Sequence, residues 1–202
     1  MNDILLKDTT YLQRLLNFAG YNCGTVDGIR GAKTNKAIEQ WLLDEDAHIR
    51  KWGKLDDRSE KNLQTIIPFL QRDIRRWFKE KVTPWMQKNN ITVKIICGTR
   101  TYQEQDELYA KGRTKPGNKV TNAKGGYSLH NFAVAIDLGI FSKDGDYFTD
   151  DKWYRKLVAD CGCPDEMLNG GDWKSLSDYP HYQWDRYGST STKIRNIFNG
   201  GK

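Results

Sequence analysis

The order in which helical and extended patterns follow one another constrains this chain's fold more than any single residue does. Through the first third, apolar residues recur only at helical spacing. Tyr11, Leu12, Leu15, Leu16 and Ala19 line one helix, which Asp8 or Thr9 can cap and Gly20 can end. Ala37, Ile38, Trp41 and Leu42 line a second, running from about Ala32 to Leu43, and Ser59–Leu63 suggests a third. Ile67, Leu70, Ile74, Trp77 and Phe78 keep the helical period, with Arg72, Arg75, Arg76 and Lys79 on the other faces. Two large aromatics there need a partner surface, so this stretch reads as the first helix of a second unit. Extended runs begin only afterwards, at Thr92–Arg100, Phe132–Ile140 and His181–Trp184. Helical patterns at Gln103–Lys111 and after Asp150 separate them. Without βαβ regularity, this order predicts an α+β chain. The expected architecture is an N-terminal three-helix bundle over 1–66, joined to a domain over 67–202 in which helices flank a small antiparallel sheet.

Composition excludes several classes. The chain has 202 residues, 38% of them hydrophobic, which is enough to build a core. No apolar run approaches the ~20 residues that cross a bilayer. Four cysteines are too few for a disulfide scaffold, and the first residues lack the basic and apolar regions of an export signal, so reduced thiols are expected. The net charge of +6 is uneven: residues 1–66 are neutral, 67–124 carry +8 and 125–202 carry −2. A basic middle suits nucleic acid, anionic lipid or an acidic cell-wall polymer, or is simply a solvated face.

Of the three histidines, two stand beside predicted strands. His130 precedes the Phe132–Ile140 run, Asp137 lies near its end, and His181 opens the last strand. Adjacent strands could gather them as two imidazoles and a carboxylate, leaving one tetrahedral position open. Three protein ligands and an open position are the design of a catalytic zinc centre. Two unrelated histidines would leave the same spacing.

The surrounding residues resemble a known family. Ser128-Leu-His130-Asn-Phe-Ala133-Val-Ala135-Ile-Asp137, followed by Asp178-Tyr-Pro-His181, is similar to the LAS metallopeptidases, which include D-Ala–D-Ala carboxypeptidases and phage L-alanyl-D-glutamate endopeptidases. Gly98-Thr-Arg100, Gly112-Arg113-Thr-Lys-Pro116-Gly117 and Gly170-Gly-Asp-Trp173-Lys-Ser extend the likeness across about residues 68–186. Ala133 departs from the usual glycine. The resemblance implies zinc held by His130, Asp137 and His181. It implies Asp178 as the proton shuttle and Arg100 as the group steadying a scissile carbonyl or substrate carboxylate; a salt bridge at the strand end is the alternative for Arg100. Ser128 resembles a hydroxyl that contacts substrate or supports a ligand, and Trp173 is read as a substrate contact walling the cleft, with core packing as its alternative. Trp184 could also wall the cleft, and Asp172 could orient a ligand histidine. His48 is expected at the surface, and Cys161-Gly-Cys163 is not expected to hold metal. Separately, Gly24-Thr-Val26-Asp27-Gly28-Ile-Arg-Gly31 and its flanking helices resemble the peptidoglycan-binding module of cell-wall hydrolases over roughly residues 3–66.

Together these resemblances imply a zinc endolysin that cuts the L-Ala–D-Glu bond of peptidoglycan stem peptides, tethered by its N-terminal helices. A monomer is expected, held in the host cytoplasm before release, with no nucleic-acid partner and no membrane insertion. The alternatives are D-Ala–D-Ala carboxypeptidase activity on the same fold and a non-catalytic wall-binding protein.

Overall fold

The structure is a computed structural model and describes residues 1, 3–173, 177–185 and 191–201. Lys174 and Ser175 of the Gly170–Ser175 motif lie outside the described residues. The chain is α+β. Helices α1 (Asp3–Leu6), α2 (Thr9–Phe18), α3 (Ala32–Trp52) and α4 (Asp57–Leu63) come first. Asp8 caps α2 by accepting from Tyr11 N at 3.0 Å, and Asp56 caps α4 from Ser59 N at 3.2 Å. Helix α3 extends nine residues beyond the expected end because nothing breaks it before Gly53, which turns the chain with φ 86°. Leu42, expected on its apolar side, is exposed.

Helix α5 (Pro68–Trp77) passes through a π-helical turn at Phe78–Val82 into α6 (Thr83–Asn89). Strand β1 (Ile91–Cys97) and helix α7 (Tyr102–Ala110) follow. A 3-10 turn at Leu129–Phe132 leads into β2 (Ala135–Ser142), so β2 starts later than its apolar run suggests. Ala133 makes the break, in the left-handed region at φ 59°. The remainder comprises α8 (Lys152–Cys161), β3 (Met167–Gly170), β4 (Asp178–Trp184) and α9 (Ser191–Phe198). Strand β3 was not expected from the sequence pattern; only four residues long, it alternates too briefly to register.

All strand pairs are antiparallel, in the order β1-β2-β4-β3. Central β2 is buried through Ala135, Ile136, Leu138 and Ile140. One hydrophobic core runs from Leu12, Leu16 and Trp41 through Leu70 and Ile74 to the sheet. The N-terminal helices therefore pack directly onto the rest of the chain: α3 lies against α5, α4 against β1 and α2 against α9. Arg75, fully buried, donates to both Glu60 carboxylate oxygens and to Gly53 O, closing the α3–α4 corner onto α5. Among the described residues no helix is long and apolar enough to cross a membrane.

Candidate metal centre

Sheet register builds most of the site. Asp137 on β2 is paired with His181 on β4 and, across the other edge, with Cys97 at the end of β1. His130 comes from the 3-10 turn before β2 and is almost wholly buried. His130 Nε2 lies 3.1 Å from Asp137 Oδ1 and 3.2 Å from His181 Nδ1, while His181 Nδ1 lies 3.0 Å from Asp137 Oδ1. Tetrahedral zinc with ligand bonds near 2.0 Å requires donor atoms about 3.3 Å apart. The near-equilateral triangle of two imidazole nitrogens and one carboxylate oxygen fits such an ion without rearrangement.

The far side of each ring is also fixed. His130 Nδ1 faces Gly98 O at 2.7 Å and His181 Nε2 faces Gln183 Oε1 at 3.1 Å. Both acceptors call for an N–H on those nitrogens, so His130 Nε2 and His181 Nδ1, the two that face Asp137, are the ones available to give lone pairs to a metal. Cys97 forms a second possible donor group with His130 and Asp137. Its sulfur, however, lies 3.9 Å from His130 Nδ1, on the side committed to Gly98, and accepts from Arg100 Nε at 3.2 Å. The His130–Asp137–His181 set is therefore the better metal cage, with Cys97 behind it.

Charges follow this geometry. Burial opposes the charged His130 ring, but Asp137 outweighs it and lifts the pKa to about 9. Burial likewise opposes ionised Asp137, and the two histidines outweigh it, holding the carboxyl well below the usual range. Arg100 NH2 donates to Asp137 Oδ2 at 2.7 Å and NH1 to Gln105 Oε1 at 2.8 Å. The strand-end salt bridge is thus present, and each terminal nitrogen keeps one further N–H. Asp178 is half-buried, and burial is the main cause raising its pKa.

A cleft of about 630 Å³ opens over the triangle. Arg100, Ser128, His130, Asp137, Trp173, Asp178 and His181 all line it, so the fold brings these seven candidates together. Trp173 packs on the His181 ring with centroids 5.1 Å apart. Trp184 is instead core, against Phe18 and Phe69. Asp172 is exposed, and the histidine-orienting role falls to Gly98 O and Gln183. His48 is half-buried rather than exposed, and burial followed by Arg72 depresses its pKa. Cys161, buried beside Lys81 O, has its thiol pushed up to about 11 by burial.

Sequence reasoning overlooked Cys97, Gln105, Gln183 and the cleft-lining Tyr127 and Tyr147. Gln183 was findable, since it stands two residues beyond His181 in one strand and so shares its face. Cys97 and Gln105 depend on pairings that local pattern does not specify.

Residues 69–161 match the family described as VanY, D-alanyl-D-alanine carboxypeptidase. This segment resembles VanY domains. It contains Arg100, His130 and Asp137 and ends before Asp178 and His181. The match bears out the LAS resemblance. The chain is also similar to the peptidoglycan L-alanyl-D-glutamate endopeptidase CwlK of Bacillus subtilis (strain 168). Identity is 42% over 105 residues, 46% of this chain and 60% of CwlK, so the chain spans about 60% of that relative's length. The structure of the Serratia marcescens L-Ala D-Glu endopeptidase ChiX aligns with a TM-score of 0.44 at 24% identity, over 67% of this chain and 93% of ChiX.

Proposed function

We propose that the protein is a zinc-dependent peptidoglycan hydrolase acting on the L-Ala–D-Glu amide of the stem peptide. The observation that carries this reading is the triangle of His130 Nε2, His181 Nδ1 and Asp137 Oδ1, 3.0–3.2 Å on a side, in a cleft that also holds a second carboxylate. Zinc held by these three side chains would polarise the scissile carbonyl and lower the pKa of water toward ~7. Asp178 is the proton carrier, taking a proton from the attacking water and delivering it to the leaving amine. Its raised pKa suits that task, because a carboxyl nearer neutrality both accepts and returns a proton readily. Arg100 holds Asp137 in place and has N–H groups left for the carbonyl oxygen. Ser128 and Trp173 line the cleft as substrate contacts.

The N-terminal helical unit, residues 1–66, is proposed to bind the wall through the Gly24–Gly31 region and so raise the local concentration of substrate. In a phage endolysin role the monomer would be held in the host cytoplasm until release, and neither nucleic acid nor membrane insertion enters the mechanism. The activity for which CwlK is named supports the choice of bond. The description of the matching family favours a second reading, removal of the terminal D-Ala. Mass spectrometry of digested muropeptides separates the two. Glycan-linked material ending in a free L-Ala carboxylate supports the endopeptidase. Single D-Ala released from otherwise intact stems supports the carboxypeptidase. Neither product, with zinc supplied, supports a non-catalytic wall-binding protein.

A further inference from the structure

Strand β1 lies at one edge of the sheet, where unpaired N–H and C=O groups would otherwise face solvent. Helix α4 covers that edge with side chains. Ile95 N donates to Ser59 Oγ at 2.9 Å, and Asn62 Nδ2 donates to Ile95 O at 2.9 Å. Farther along, Thr99 N donates to Thr65 Oγ1 at 2.8 Å and Thr99 Oγ1 donates back to Thr65 O at 2.7 Å. The Thr65 hydroxyl gives its own proton to Asn62 O at 2.6 Å, which leaves it an acceptor toward Thr99. Ser59, Asn62 and Thr65 are spaced by three, so they follow one face of α4 and its C-terminal turn.

Gly98 sits inside this clasp. It packs so closely on α4 that a Cβ would collide with the Asn62 carbonyl and the Thr65 hydroxyl. Its own carbonyl is the acceptor for His130 Nδ1 at 2.7 Å. We propose that Thr65 is a positioning residue for the metal centre: by clamping Thr99 it holds the Gly98 carbonyl against His130 and keeps Nε2 turned toward Asp137 and His181. The inference rests on the reading of those three side chains as metal ligands. It gives the site a component from the N-terminal helices, outside the segment that matches the VanY family.

The test measures zinc affinity of the full chain by competition with a chromophoric chelator, beside the thermal midpoint of each metal-free protein. Thr65→Val keeps the shape of the side chain and removes the hydroxyl. It should weaken zinc binding about tenfold, the lower end of the range for groups that orient ligands, and Thr65→Ser should restore it. Ser59→Ala loses the bond to Ile95 but leaves the Thr65–Thr99 clamp intact. It should lower the thermal midpoint and leave zinc affinity unchanged. Zinc binding by Thr65→Val equal to wild type overturns the proposal. So does equal weakening by Ser59→Ala, because the loss would then track stability alone. If Thr65→Val does not fold, Thr99→Ala removes one bond of the same clamp and must weaken zinc binding; wild-type affinity in that variant overturns the proposal. A wild-type chain that binds no zinc refutes the metal reading itself, a separate result from any of these.

Discussion

Gln183 offers a graded test of the metal centre because its effect falls on one state of the protein. In the metal-free chain either ring nitrogen of His181 has an acceptor within reach: Nε2–H can donate to Gln183 Oε1 at 3.1 Å, or Nδ1–H to Asp137 Oδ1 at 3.0 Å. Gln183→Leu removes the first option, and the ring can shift to the second tautomer at little cost. Zinc binding forbids that escape, since Nδ1 must then present its lone pair and Nε2–H is left without a partner in a buried setting. His181 is only 7% exposed, so the penalty is that of an unsatisfied buried donor, about 1–3 kcal/mol. At 1.4 kcal/mol per tenfold, zinc affinity should fall roughly five- to 150-fold. Gln183→Glu should act in the opposite direction, because a carboxylate accepts the Nε2–H more strongly and raises the basicity of Nδ1. Chelator competition at fixed pH reads both variants, with metal-free thermal midpoints as the control for folding. If Gln183→Leu binds zinc as tightly as wild type, the tautomer argument fails, and His181 Nδ1 is not a ligand.

Three further outcomes are expected. Asp178→Asn should reduce kcat by about 10²–10⁴-fold, the usual worth of a general base, without changing zinc affinity; a large loss of zinc binding would make Asp178 a ligand instead. The His130–Asp137 pair should make the metal-free protein less stable as pH rises. Its folded-state pKa of about 9 exceeds the ordinary 6.5, so the contribution is complete below the lower value and lost as pH passes the upper one. Denaturant midpoints of the metal-free wild type should show that slope and those of His130→Gln should lose it; identical slopes would refute the assignment. Lys115, Lys119 and Lys124 are exposed on the loop whose residues Val120–Ala123 line the cleft. Neutralising them should slow wall lysis most at low salt, where the screening length exceeds ~10 Å, and equal activity at every ionic strength would show them to be ordinary solvated side chains.

Legibility of the site in the sequence followed the range of the interactions that build it. His130 and Asp137 are seven residues apart in one stretch, and the turn and strand that carry them are set by local pattern. Their meeting with His181 depends on β4 pairing with β2 in a register that brings Asp137 opposite His181. Nothing in the last strand's own residues selects that register, and only the resemblance of the whole motif supplied it. The same distinction explains the smaller errors. Leu42 fits the helical stripe of α3 yet faces outward, because the neighbours that decide which positions are covered come from other elements.

Ser59, Asn62 and Thr65 carry this point to the division of the chain. In sequence they are three small polar residues in and just after a short capped helix, with nothing to distinguish them from a solvated face. In the fold their bonds reach 33 to 36 residues onward, to the strand and loop behind His130. A boundary drawn after residue 66 follows composition and charge, but Tyr11 OH also donates across it to Asn131 O, and Arg75 returns across it to Glu60. A wall-binding role for the first helices asks only that they stay attached. The hydrogen bonds ask for more, since both backbone groups of Ile95 and the N–H of Thr99 would lose their partners if those helices were removed. Expressing residues 67–202 alone should therefore yield a protein that exposes the β1 edge and binds zinc weakly even where it folds, with the deficit largest at the His130 side of the triangle. A truncated chain with wild-type zinc affinity would show that the N-terminal helices act only as a tether.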